Sequence, residues 1–352
     1  MPMFKRMLLI AGASVAVIAA GAPAGAEPLI AGKEFLPDQY IARITAGMNG
    51  LAKMDSSDTA RGFYRKLDLW PPSYTKLLVC FMGGSDELNT NVAKVAKGWN
   101  RAAKISLRLD LGKNDKPRRC KPGSREAQIR VSYDKQGYYS LLGQNSMVYA
   151  SQEENSLNLG EFDKFPDPNA VLAGELKGVI LHEFGHALGL YHEHQSPVAN
   201  CDSEYNWEYI FTFLKGPPNH WDEAKIKFNM DPYPEDEDSE ENLMMTKFDV
   251  SSIMLYSFPA DYYLKGNESP CFIESSNTDV SASDKLAIEN MYPVDVSSRL
   301  QAFEQNRAQI AQIIKQAEVS GTKAAGMDYL DAFFNTKGVA DGGEDKDGAD
   351  GE

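Results

Sequence analysis

The chain has 352 residues, 43% of them hydrophobic, enough for one large folded domain or two modest ones. Its 50 acidic residues outnumber 36 basic ones, for a formal net charge of −14. A surface that acidic repels phosphate backbones, which excludes nucleic acid as an expected partner.

Residues 1–26 read as a secretory signal. Lys5 and Arg6 open it, an apolar run over 7–20 follows, and Ala24-Gly25-Ala26 is a small-residue cleavage site. The apolar run is short, and Gly21, Pro23 and Gly25 break it, so cleavage near Ala26 is expected rather than a stable membrane anchor. Residues 27–70 are an N-terminal extension in which Tyr40, Ile41, Ile44, Met48 and Leu51 recur at helical spacing.

From Tyr74 the pattern changes. Lys76-Leu77-Leu78-Val79-Cys80-Phe81 reads as a buried strand ended by Gly83-Gly84. Ser85 or Asp86 caps a helix to about Asn100, with Val92, Val95, Ala96 and Trp99 on one face. Residues 105–111, 128–133, 138–143 and 156–160 supply four further strands. Strands, a helix and then a second helix predict an α+β domain over 71–295 built on a mixed five-stranded sheet.

The second helix carries His182-Glu183-Phe184-Gly185-His186-Ala187-Leu188-Gly189-Leu190-Tyr191-His192. His182 and His186 are four apart and share one helix face. Two imidazoles so placed reach one zinc ion at about 2.0–2.1 Å. Glu183 falls beside the metal, where it suits a general base acting on zinc-bound water. Gly189 tolerates the backbone that stops the helix, and His192 swings back as third ligand. Three protein ligands leave a fourth position open, the mark of a catalytic zinc.

Residues 201–247 lack regular patterning, with Trp207, Phe211, Phe213 and Trp221 as local core and His220 as an isolated surface histidine. A helix over 283–293 has a Ser283 cap and a terminating Pro293. Residues 296–337 form a C-terminal helical extension, and 338–352 a Gly/Asp/Glu-rich tail whose composition predicts disorder. The four cysteines, Cys80, Cys120, Cys201 and Cys271, all follow the signal, and an even count in an exported chain favours two disulfides. Of the three pairings, Cys80–Cys120 with Cys201–Cys271 would staple each half of the domain once.

The histidine stretch resembles the extended zinc motif of the metzincin metallopeptidases. Glu193, directly after the third histidine, narrows the resemblance to the astacin family. Ser252-Ile253-Met254-Leu255-Tyr256 is similar to the Met-turn, in which Met254 would form an apolar floor under the metal. The resemblance spans roughly 74–293, and departs at Gln195-Ser196-Pro197, where many astacins carry arginines and an aspartate.

That resemblance implies a zincin fold, with a sheet subdomain above the cleft and a mostly irregular C-terminal subdomain below. It implies an endopeptidase with one catalytic zinc, Glu183 as base and Tyr256 as a phenol that stabilises the oxyanion. It makes Tyr139, Ser140, Leu141, Leu142 and Gly143 the edge strand that takes a protein or peptide substrate by β-addition. It also raises an inhibitory pro-segment in 27–70, with Asp38, Asp55, Asp58 and Asp68 as candidate metal blockers; the other reading of that segment is a helix packed behind the domain. The competing function is an inactive zinc-binding module, against which Glu183 speaks.

Overall fold

Leu77, Val79 and Phe81 are each at most 1% exposed, and the strand that carries them is the hub of the sheet. This strand, β1 (Lys76–Phe81), runs parallel to β2 (Arg108–Asp110), to the two-residue β3 (Arg118–Arg119) and to β4 (Ile129–Ser132). Beyond β4 lies the parallel β6 (Leu157–Leu159), and β5 (Tyr138–Ser140) ends the sheet antiparallel to β6. The computed structural model describes residues 36–54, 68–112, 116–121, 127–217, 219–233, 247–297, 299–301 and 304. The signal, Asp55, Asp58, most of the C-terminal extension and the tail lie outside the described residues.

Two helices cover one face of the sheet. The first, the α2 helix (Asp86–Ala102), starts at Ser85, whose hydroxyl accepts from Leu88 N at 3.1 Å, and it buries the expected Val92, Ala96 and Trp99. The histidine helix, α4 (Gly174–Ala187), lies against it: the Trp99 indole donates to the Leu181 carbonyl at 2.9 Å. Before them runs α1 (Asp38–Met54), and the short α3 (Asn145–Val148) follows β5.

Some strands are shorter than their alternation predicts. Ile105, Leu107, Leu109 and Leu111 are all buried, yet only three residues of that stretch pair with β1, and Ser106 N bonds the Tyr292 carbonyl instead. Hydrophobic period reports burial, and ladder pairing is a separate matter. The expected edge strand ends at Ser140. Leu141 N still reaches Ser156 O, but Leu142 and Gly143 leave the sheet. Gly143 has φ +44° and bonds the His186 carbonyl at 2.9 Å; a Cβ there would stand 1.7 Å from Asp68 O.

The stretch read as irregular contains two helices, α5 (Trp207–Lys215) and α6 (Glu223–Met230). Asn206 and Asp222 cap them through their side chains, a signal present in the sequence and passed over. Their core residues are Ile210, Leu214, Ile226 and Met230, whereas Phe213 is 42% exposed. His220 is exposed, as expected. Helix α7 (Ala282–Met291) is capped by Ser281 rather than Ser283, in a reciprocal capping box with Asp284. Both expected disulfides are formed, with Cα–Cα distances of 4.9 Å for Cys80–Cys120 and 5.8 Å for Cys201–Cys271. Among the described residues no helix is long and apolar enough to cross a membrane.

Candidate metal centre

Helix α4 is buried on every side from Gly178 to Ala187, which is why its sequence is apolar apart from the residues that carry chemistry. Its C-terminal carbonyls would be orphans in such a setting. Side chains from both ends of the domain satisfy them: the Trp70 indole donates to Ala187 O at 2.8 Å, and the Tyr292 hydroxyl donates to Leu188 O at 2.6 Å. Gly189 then takes φ +101°, with its N–H on His186 O at 2.7 Å, and a side chain there would press on Met291 and Leu69.

This turn brings His192 back to His182 and His186. One ring nitrogen from each lies within 4.8 Å of the others, and the Nε2 atoms of His186 and His192 are 2.9 Å apart. Each imidazole uses its other nitrogen on an oxygen acceptor. His182 Nδ1 donates to Ile253 O at 2.7 Å, His186 Nδ1 to Leu190 O at 2.7 Å and His192 Nδ1 to Gln195 Oε1 at 2.9 Å. That pattern sets the tautomer with Nε2 deprotonated in all three rings. Two bare nitrogen lone pairs at 2.9 Å repel unless a cation stands between them. Three neutral imidazoles with inward lone pairs are a donor set that fits zinc.

Under the rings lies the turn around Met254, which is 2% exposed. Asp284 of α7 builds it. Its Oδ1 accepts from the Ser252 hydroxyl at 2.7 Å, and its Oδ2 from Ile253 N at 2.9 Å and Ser281 N at 2.8 Å. Ile253 thus gives its N–H to the Asp284 carboxylate and its carbonyl to His182. The Met254 carbonyl accepts from Glu193 N at 3.0 Å, tying the turn to the residue after the third histidine.

Glu183 is fully buried and next to His182. Burial pushes the Tyr138 phenol of β5 up to about 12, reinforced by the charges of Glu161, Glu183 and Glu175. Burial also raises the Glu193 carboxyl to about 7, against the lowering effect of the Asp249 N–H that its Oε1 accepts at 2.9 Å. The Tyr256 ring lies 4.3 Å from His192, 4.8 Å from His194 and 5.4 Å from His182, centroid to centroid. The three expected metal ligands, Glu183, Gly189, Glu193, Met254 and Tyr256 are therefore gathered in one place. Leu142 and Gly143 are not part of the terminal strand.

That strand is covered. Tyr40 of α1 is 0% exposed, its ring 6.2 Å from Tyr139, and its hydroxyl donates to Asn155 O at 2.8 Å. Arg43 pairs with Glu154 at 3.0 Å, and Asp38 meets Lys225 of α6 at 2.6 Å. Helix α1 thus joins the β5 region to α6, a position that the helical spacing of its residues did not reveal. Sequence reading also missed Trp70, Tyr292 and Asp284; only Asp284 had a local signal, the Ser-x-x-Asp spacing from Ser281.

No protein-family model matches the chain, and no curated protein matches it. Among solved structures, myroilysin is similar at 26% identity and a TM-score of 0.50, over 64% of this chain and 96% of that one. A looser likeness, at 18% identity and a TM-score of 0.39 over 64% and 92% of the two chains, is to High choriolytic enzyme 1, a hatching enzyme zinc-protease from Oryzias latipes, the medaka fish. In its fold and its three-histidine site the chain is similar to astacin-like metzincin zinc metallopeptidases. Glu193, directly after the third histidine, is tied to the Met254 carbonyl through its N–H.

Proposed function

We propose that the chain is an exported endopeptidase that hydrolyses protein or peptide substrates with a single zinc ion held by His182, His186 and His192. The observation that carries this reading is the convergence of three imidazoles, each oriented through Nδ1, beside a fully buried Glu183. When bound, zinc supplies a Lewis acid that polarises the scissile carbonyl and acidifies water. Glu183 takes a proton from the attacking water at its carboxylate and delivers it to the leaving amine. Tyr256, with its ring against His192, donates its phenol to the oxyanion. Met254 holds the floor, and Gly189 makes the turn that returns His192. Export and signal cleavage near Ala26 agree with the two disulfides.

In this proposal the N-terminal extension acts as a pro-segment. Tyr40 covers Tyr139, so a substrate strand adding to β5 requires α1 to move. Asp68 and Trp70, by contrast, are buried against Asn145 and Ala187, which supports a processing cut ahead of Asp68.

The test is hydrolysis of a quenched peptide library by the purified protein, with and without chelator, and by Glu183→Gln. Chelator-sensitive cleavage that the variant lacks supports the reading. Zinc-loaded protein that cleaves nothing, even after removal of residues before Asp68, would favour the zinc-binding module instead.

A further inference from the structure

We infer that Gln195 is a positioning residue for the metal centre: it holds the His192 ring with Nε2 facing the metal. The inference rests on the zinc reading above. The Gln195 side chain is 2% exposed, and both of its ends are engaged. Oε1 accepts from His192 Nδ1 at 2.9 Å and from the Tyr233 hydroxyl at 2.9 Å. Nε2 donates to Phe228 O and Asp231 O, each at 3.0 Å. Those two carbonyls, at the end of α6 and just past it, fix which end of the amide carries oxygen, because only the NH₂ end donates to a carbonyl. The oxygen is then obliged to face His192, and it accepts Nδ1–H.

The other two ligands have backbone carbonyls in this place, Ile253 O and Leu190 O. His192 is different. It follows Gly189 in a turn outside the helix, its ring is half-buried, and a side chain orients it. The Tyr233 ring packs at 4.5 Å on Tyr191, the residue before His192, and Tyr233 N bonds the Gln195 carbonyl at 2.9 Å. Gln195 therefore couples the third ligand to the α6 segment. Gln195 also opens the Gln195-Ser196-Pro197 stretch, where the sequence departs from the astacin pattern.

Two substitutions separate orientation of His192 from support of the backbone. Gln195→Met keeps the length and removes both functions. Gln195→Glu loses the donors to Phe228 and Asp231 but keeps an oxygen for His192 Nδ1–H. Zinc affinity of the full chain is measured by competition with a chromogenic chelator, alongside the melting temperature of the metal-free protein. Outer-shell partners are worth roughly 10–100-fold in metal affinity. We expect Gln195→Met to lose affinity in about that range and Gln195→Glu to stay within about threefold of wild type, although both lose the same backbone contacts. Equal losses in the two variants, or wild-type affinity in Gln195→Met, would overturn the inference. Should Gln195→Met not fold, the cobalt-loaded Gln195→Glu protein decides alone: a carboxylate on Nδ1–H makes the imidazole a stronger ligand and shifts the d–d bands, and an unshifted spectrum refutes the role. If the wild-type chain itself binds no zinc, the metal reading fails first and takes this one with it.

Discussion

Gly185 lies directly over Met254: a Cβ added to the glycine would sit 2.5 Å from the methionine sulfur and 3.1 Å from Trp99 Cζ2. The histidine helix can rest on its methionine floor at this distance only because the residue between the first two metal ligands has no side chain. Gly185→Ala must push Met254 away or lift the helix. Overpacking a buried site costs about 1–3 kcal/mol, so the melting temperature should fall and zinc should leave at lower chelator concentration. An unchanged melting curve would mean that the floor yields freely.

Glu183→Gln should reduce kcat/KM by about 10²–10⁴-fold, the usual worth of a general base, with zinc content unchanged. Tyr256→Phe should cost less, about 10²-fold or under, because one oxyanion donor is lost and the metal remains. A variant order reversed in steady-state assays would exchange the roles assigned to the two residues.

Asp284→Ala removes the acceptor of Ser252, Ile253 and Ser281 at once. Leaving buried donors unmatched and uncapping α7 should destabilise by about 2–4 kcal/mol. The same change loosens Ile253, whose carbonyl orients His182, so zinc affinity should fall as well. Chemical denaturation with and without zinc reads both effects; loss of one without the other would uncouple the turn from the ligand.

The hold of α1 should weaken in acid. The Arg43 hydrogen bond keeps the Glu154 carboxyl below its ordinary value. A lowered carboxylate pKa stabilises above the unfolded value, about 4.3, and that contribution disappears as pH falls through the folded value. Hydrogen exchange in α1, corrected for intrinsic rate, should therefore speed up selectively as pH falls below the unfolded value of about 4.3. Unchanged protection of α1 through that acid range would show that this ion pair does not hold the helix.

Alkali should act on the whole fold. Burial raises the phenol of Tyr138 to about 12, and those of Tyr139, Tyr262, Tyr263 and Tyr292 further. A folded state that keeps protons which the unfolded chain releases near 10 is stable below that pH and loses stability as pH climbs toward the folded values. The urea midpoint should therefore decline steadily above about pH 10. A midpoint constant to pH 11.5 would contradict the burial of these rings.

What the sequence determined by itself lies within short spans. The offsets among His182, His186, Gly189 and His192 belong to one helix and the turn that ends it, so helical geometry brings the ligands together whatever surrounds them. The Ser85 cap, the buried β1 strand and the apolar face of α2 were equally local. The tertiary structure decided what orients and covers those residues. His182 takes its tautomer from Ile253, 71 positions away; α4 takes its terminal donors from Trp70 and Tyr292, 117 and 104 positions away; β5 is covered by a helix from the N-terminal extension. No local pattern encodes such partners, because a buried carbonyl or edge strand requires only that some donor or side chain arrive, and chain closure selects which one. Gln195 stands between the two cases: it is three residues from His192, yet its orientation is set by carbonyls 33 and 36 positions away.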